Sequence, residues 1–275
     1  MVAFLSGVVA AVLTVTPTAR SMQPGELVIL SVSAAVPMTE VHAQAFDGRI
    51  NGYAVDPTHW TLLVGIDLDA TLGRHPVVVT AMTSAGPVET TYPLTVVAKT
   101  FPTRRLQVDP AFVNPPAAAM PRIIQDTKDQ AAVWAASPAT RLWTGPFIRP
   151  VPQVANSAFG TRSVFNGEPR SAHSGADFLS PAGTPIKAPN AGRVALAKDL
   201  YYSGNSVIID HGLGVFSFFA HLSRIDVKVG DAVQPGDVLG LVGATGRVTG
   251  PHLHWTLRVA GARVDPLSLL ALLGK

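Results

Sequence analysis

Glycine and proline set the first limit on this chain. They supply 24 and 23 of its 275 residues, and they fall between short runs of Val, Ile, Leu, Thr and aromatic residues. Clusters such as Gly-Pro and Asp-Gly turn strands and end helices. Many short strands joined by turns are therefore expected in place of long helices. With 47% of its residues hydrophobic, the chain can fill a sizeable core, and its length allows one large domain or two of medium size.

Only 14% of the residues are charged and the formal net charge is +3. Lys and Arg are scattered, so no basic stripe for nucleic acid is present, and weak attraction to an anionic polymer is the most the charge supports. The absence of cysteine excludes disulfides, thiolate metal sites and a cysteine nucleophile. The N-terminus is apolar as far as Val15, too short for a membrane span. It lacks the basic start and A-x-A site of an export signal. It reads either as the remnant of such a signal over residues 1–15 or as a first strand, "AVLTVTP".

Three segments follow. Residues 1–98 carry "GELVILSVS", "EVHAQAF", "HWTLLVGIDL", "HPVVVTAMT" and "TTYPLTVVA", separated by "QPG", "DGRING", "TLGRHP" and "SAGP". This spacing predicts an immunoglobulin-like antiparallel β-sandwich. Its histidines, His42, His59 and His75, are isolated and read as structural. Residues 99–150 form a connector. Its "VDPAFVNPPAAAMP" is extended, and "RIIQDTKDQAAVWAA" (122–136) is the one helix expected. In that helix Ile123, Ile124, Ala131, Trp134 and Ala135 can share a flank, and Ser137-Pro138 ends it. The connector is expected to bridge the domains rather than to cover a site. Residues 151–275 return to strands. "VKVGDAVQPGDVLGLVG" (227–243) has the paired turns of a lipoyl-type hairpin, but a carrier domain needs a lysine at the hairpin tip and Lys228 stands at the wrong end.

Five of the eight histidines lie in this last segment: His173, His211, His221, His252 and His254. His252 and His254 are two residues apart in "GPHLHWTLRV", a strand by composition, so both imidazoles point to one face about 6.5–7 Å apart. A catalytic zinc takes three protein ligands and keeps a fourth position for water. His173, Asp177 four residues later, and one of the pair would supply them. Ser174, Gly175 and Ala176 are small enough to let the backbone wrap closely. His221, in "FFAHLS", and the other member of the pair would remain for proton transfer. Each signal is weak alone, but the three together in one β-rich segment are strong.

Residues 158–266 resemble the M23 zinc metallopeptidases, the lysostaphin and LytM group. The matching pieces are "FGTR", "HSGADF", "APNAGRV", "GNSVIIDHG", "AHLS", "VGDAVQPGDVLGLVGATGRVTGPHLHW" and "VDP". The resemblance implies an all-β chain ending in an antiparallel domain of this type. It implies one Zn2+ per chain on His173, Asp177 and His254, with His221 and His252 as catalytic non-ligands. It implies an endopeptidase acting on peptidoglycan peptide stems, with no nucleic-acid partner and no membrane span, in the periplasm, envelope or surroundings of a bacterium; the residues do not fix its oligomeric state, and a monomer is expected. Loops around 161–172, 198–204 and 244–251 would wall the groove. Two other readings belong to the same resemblance: a non-catalytic wall-binding or amidase-activating module, and a glycylglycine endopeptidase of the bacteriocin type. Phe219 stands where relatives often carry Tyr, and no Tyr lies between Arg162 and His173, which leaves Arg162 as a candidate helper. His211 is expected to be structural.

Overall fold

The computed structural model describes residues 12–46, 48–107, 113–157 and 159–274. Residues 1–11, which bear most of the export-signal reading, and 108–112 of the connector lie outside the described residues. Strands and helices are numbered here in chain order. One four-stranded antiparallel sheet runs β1 (Thr14–Ala19), β2 (Leu27–Ser33), β6 (His59–Gly65), β5 (Tyr53–Asp56). A second runs β4 (Gly48–Asn51), β3 (Met38–Ala45), β7 (Gly73–Thr83), β8 (Gly86–Val96). They face each other over Val28, Leu30, Val41, Leu62, Val79 and Leu94, as the turn spacing predicts. The segment read as the turn "DGRING" contains β4, a short return strand that pairs Ala45 with Gly48. Ile50 is its one buried apolar side chain, too little pattern for a strand to be read.

The central strands of the first sheet, β2 and β6, are buried on both faces. In β2, Val28, Leu30 and Val32 enter the sandwich core, whereas Leu27 enters the core of the C-terminal half, and Leu63 of β6 does the same. The unbroken apolar runs "LVIL" and "LLV" follow from this, since a strand covered on both sides has no solvent face to mark with polar residues. β8 has an open face and alternates.

A ten-stranded sheet dominates the C-terminal half. Its main path is β10 (Ala155–Ser157), β13 (Gly175–Phe178), β20 (Leu253–Val259), β17 (Val215–Ile225), β16 (Gly204–Asp210), β15 (Gly192–Leu200), β18 (Ala232–Val233). β14 (Pro185–Lys187) pairs β19 (Val238–Val242), which pairs β17, and β21 (Ala262–Val264) pairs β20. β9 (Thr103–Leu106) from the connector lies parallel to β11 (Arg162–Phe165), which also pairs β12 (Glu168–Pro169). Phe178, Phe219 and Trp255 form the centre of the core.

The connector helix α1 (Met120–Trp134) forms as expected, but it is not a free spacer. It packs on the C-terminal sheet, with Trp134 edge-on to Phe216 at 5.2 Å. It buries only part of the expected apolar flank. Ile124 is 50% exposed, while Asp126 is 4% exposed. A second helix, α2 (Pro266–Leu273), corrects the expectation of a single one. Asp265 caps it, accepting from Leu267 N–H at 2.9 Å, and Pro266 starts it. This is a start signal that "VDPLSLL" displays. No described helix is long and apolar enough to cross a membrane.

Charged groups close the contact between the halves. Arg20 bridges Glu26 (2.8 Å) and Asp265 (2.7 Å), Lys99 reaches Glu26 at 3.0 Å, and Ser268 donates to Glu26 at 2.9 Å. Burial pushes the Glu26 carboxyl up, but the bonds from Arg20, Lys99 and Ser268 outweigh it and hold the group below its ordinary range. Removing one member of such a network leaves its partners buried and unpaired. Glu26→Ala is expected to cost about 3 kcal/mol, and urea unfolding of the full chain measures it. The same loss in Arg20→Ala and in the double variant would show that the two residues act together.

Candidate functional site

Three neighbouring strands build the site. β13 pairs with β20 so that Asp177 stands opposite His254, and β20 pairs with β17 so that Ala220 stands opposite His254 on its other side. Directly opposed side chains have Cβ atoms about 4.5–5.5 Å apart, so this register alone brings Asp177 and His254 together. His173 precedes β13 and is held by backbone bonds, its N–H to Thr161 O at 2.9 Å and its carbonyl from Gly160 N–H at 2.7 Å. Gly175 makes the approach possible. A Cβ there would lie 2.5 Å from the Trp255 carbonyl and 2.8 Å from the His254 ring.

Three side-chain atoms converge. His173 Nε2 and His254 Nδ1 lie 3.0 and 2.8 Å from Asp177 Oδ1, and 3.1 Å from each other. They form a group of suitable geometry to hold a metal ion. Burial pushes the Asp177 carboxyl up, but the bonds from His173 and His254 dominate and hold it far below its ordinary range, so it is ionised. Burial pushes the His254 imidazole down, so it is neutral. Thr256 Oγ1 lies 2.9 Å from His254 Nε2. In the tautomer that gives this N–H to Thr256, Nδ1 turns a lone pair on a carboxylate oxygen. That lone pair, the Asp177 carboxylate and the His173 ring together make a donor set that suits a metal ion.

Two further imidazoles border the trio. His252 Nε2 is 3.9 Å from Asp177 Oδ1, and the His221 ring centre is 4.9 Å from that of His252 and 6.0 Å from that of His254. Their Nδ1 atoms face backbone carbonyls, Thr245 O at 2.9 Å for His221 and Gly250 O at 2.9 Å for His252. A carbonyl only accepts, so each Nδ1 carries the proton and each neutral ring keeps its lone pair on Nε2. Burial, with His254 nearby, pushes His221 down to about 4.

A β-bulge aims His221. Phe219 pairs with Val207 and Leu222 with Asn205, so Ala220 and His221 together oppose Ser206. His221 takes φ 67°, a left-handed conformation that costs a non-glycine residue on the order of 1 kcal/mol or more. The backbone bond from His221 N–H to Ser203 O, 2.8 Å, holds it there. Nothing in "FFAHLS" marks the bulge. Thr256 was missed as well, although its place two residues after His254 puts it on the same strand face.

The other candidates lie elsewhere. Phe219 is buried and stacks on Trp255 in the core. Arg162 is exposed at the start of β11, and among the described residues no hydrogen bond or ion pair joins it to the cluster. His42, His59 and His75 lie in the sandwich.

A profile of peptidase family M23 matches residues 171–266. A crystal structure of a putative peptidase M23 from Pseudomonas aeruginosa is 33% identical and superposes with a TM-score of 0.71, covering 91% of this chain and 96% of that one. The chain belongs to peptidase family M23. Among curated relatives, the peptidoglycan DD-endopeptidase ShyA of Vibrio cholerae is 45% identical over 95 residues, 34% of this chain and 22% of its own length. The DD-carboxypeptidase/endopeptidase Mpg of Neisseria meningitidis is 42% identical over 97 residues, 35% of this chain and 22% of its own length. The chain thus matches about a fifth of the length of these relatives.

His211 is fully buried outside the cluster. Its Nδ1–H donates to Ala191 O at 2.8 Å, and Nε2 accepts from Ser217 Oγ at 3.0 Å. Burial pushes it down to about 4 from an ordinary 6.5. The unfolded chain therefore takes up this proton first, and stability is lost as pH falls from about 6.5 towards 4. The slope of melting temperature against pH in that window is expected to shrink in His211→Asn.

Proposed function

We propose that this M23 chain is a zinc-dependent endopeptidase that hydrolyses the peptide cross-links of bacterial peptidoglycan. One observation carries the reading: His173 Nε2, Asp177 Oδ1 and His254 Nδ1 meet at one point, and two imidazoles with Nε2 lone pairs stand beside them. His173, Asp177 and His254 would hold the zinc. Two neutral nitrogens and one carboxylate suit this ion, and three ligands leave it a position to use. Zinc so held supplies Lewis acidity to a peptide carbonyl and to a water molecule.

The remaining chemistry falls to the chain. His221 and His252 each offer Nε2 as the atom that accepts a proton, and each then becomes a two-donor imidazolium able to stabilise negative charge on the reacting group. The backbone carbonyls of Thr245 and Gly250 keep both rings in the tautomer that this requires. Thr256 does the corresponding service for His254.

The names of the relatives, DD-endopeptidase and DD-carboxypeptidase/endopeptidase, support peptidoglycan stems as the substrate and the bacterial envelope or periplasm as the place of action. They favour the enzyme over a non-catalytic module and over a glycylglycine endopeptidase. In this reading residues 1–98 are an accessory sandwich, 99–150 a connector and 151–275 the peptidase domain. Digestion of purified sacculi with the zinc-loaded protein, followed by mass spectrometry of the released muropeptides, tests the proposal. Release of uncross-linked stems is expected, and intact sacculi would overturn it.

The two histidines of the H-x-H pair are expected to separate. His254→Ala removes one of three ligands, so zinc content and turnover fall together. His252→Ala and His221→Ala keep the ligand set, so zinc stays near one per chain while turnover drops about 10²–10⁴-fold. Metal analysis and activity on the three purified variants decide. Loss of zinc in His252→Ala but not in His254→Ala would reverse the assignment.

A further inference from the structure

The helix α1 lies outside the residues that the M23 profile matches, yet a path of hydrogen bonds and short backbone links leads from it to His221. Along β20 the side chains alternate. Leu253, Trp255 and Leu257 enter the core, and His254, Thr256 and Arg258 take the other face. Arg258 lies over the Trp134 ring at 5.0 Å, so the end of α1 covers the far end of the face that bears the candidate site. At its other end α1 meets the turn that follows β15. Asp126, 4% exposed, accepts from Tyr201 N–H at 2.8 Å and pairs with Lys198 at 3.0 Å. Arg122 donates to Asp199 at 2.8 Å beside it.

That turn controls both attachments of His221. Ser203 O accepts the His221 backbone N–H at 2.8 Å, the bond that holds the left-handed bulge. Tyr202 O accepts from Arg247 N–H at 2.8 Å. Thr245, two residues before Arg247, accepts the His221 ring N–H on its carbonyl and the Asn205 N–H, at 3.0 Å, on its hydroxyl. The two loops lock by close backbone approach. A Cβ on Gly204 would lie 2.3 Å from Thr245, and one on Gly246 would lie 2.4 Å from Gly204 N. A displacement of Tyr201–Ser203 therefore reaches the His221 backbone and ring together.

The geometry points to Asp126 as a positioning residue: the α1 carboxylate clamps the Tyr201–Ser203 turn and so sets where the His221 imidazole stands. This rests on the peptidase reading for its catalytic consequence but not for its structural one. A helix that only stabilised the fold would lower the melting temperature of a variant without moving His221. A clamp moves His221 first, and displacement of a reacting group by about 1 Å costs roughly a hundredfold in rate.

The test uses the full chain with Asp126→Ala, which removes the acceptor for Tyr201 N–H, and Asp126→Asn, which keeps one acceptor oxygen for Tyr201 N–H and gives up the charge and the oxygen that faces Lys198. In Asp126→Ala, kcat on muropeptides is expected to fall roughly ten- to a hundredfold, with KM and zinc content near wild type and with Asp126→Asn restoring most of the loss. The second readout does not need activity. The His221 ring resonances in 15N–1H spectra should shift in Asp126→Ala, return in Asp126→Asn, and leave the His211 ring unmoved. If the His221 resonances stay at their wild-type positions in Asp126→Ala, the clamp is overturned, whatever the melting temperature does. If the wild-type chain leaves sacculi intact while the His221 ring still moves, the peptidase reading fails and the positioning stands.

Discussion

The register of three adjacent strands is the constraint on which the rest depends. Asp177 stands opposite His254 across β13 and β20, and Ala220 stands opposite His254 across β20 and β17. A slip of one residue between β13 and β20 would turn the side chains of one strand to the other face, and the carboxylate would lose His254. The register is firm because the opposite faces of the same strands are the core. Phe178, Phe219 and Trp255 are all fully buried, so a slip would also expose three large aromatics at roughly 1.5–3 kcal/mol each or more. The chemistry of one face is thus held by the hydrophobic packing of the other.

Around that register, irregular backbone does the aiming. The bulge at His221, the close approach at Gly175 and the interlocked turns at Gly204 and Gly246 each place a group where a regular strand would not. These features cost conformational energy, and each is secured by a specific bond or contact, such as His221 N–H to Ser203 O. Strain of this kind persists where the surrounding structure over-determines it. Here the surroundings include a helix and a sandwich contributed by the first 150 residues. Strands β2 and β6 of the N-terminal sheet are covered on both faces and share Leu27 and Leu63 with the core of the C-terminal half.

Much of this was legible in the residues. The Gly and Pro punctuation gave the two β-rich halves. The period of two in "HLHWTLRV" placed His252 and His254 on one face, and "HSGADF" with "AHLS" completed the five side chains that the structure brings together. The second helix carries its start signal in "DPLSLL", with Asp265 as cap and Pro266 at the first position. The strand β4 was not legible, because one buried isoleucine in four residues makes no pattern.

The sequence by itself determined which atoms could meet: four imidazoles and a carboxylate on or beside short strands, with glycine where a Cβ would collide. Those choices are local, since strand period, turn chemistry and donor type are properties of a few consecutive residues. Only the tertiary structure decided how they meet. The tautomers of His221 and His252 depend on the Thr245 and Gly250 carbonyls, and the bulge at His221 is seen only against its partner strand. The burial of the Asp126 carboxylate beside Ile123 and Trp134 depends on the Tyr201 N–H, 75 residues away in the chain. A hydrogen bond between distant segments leaves no periodic trace in either, so no reading of consecutive residues could have found it.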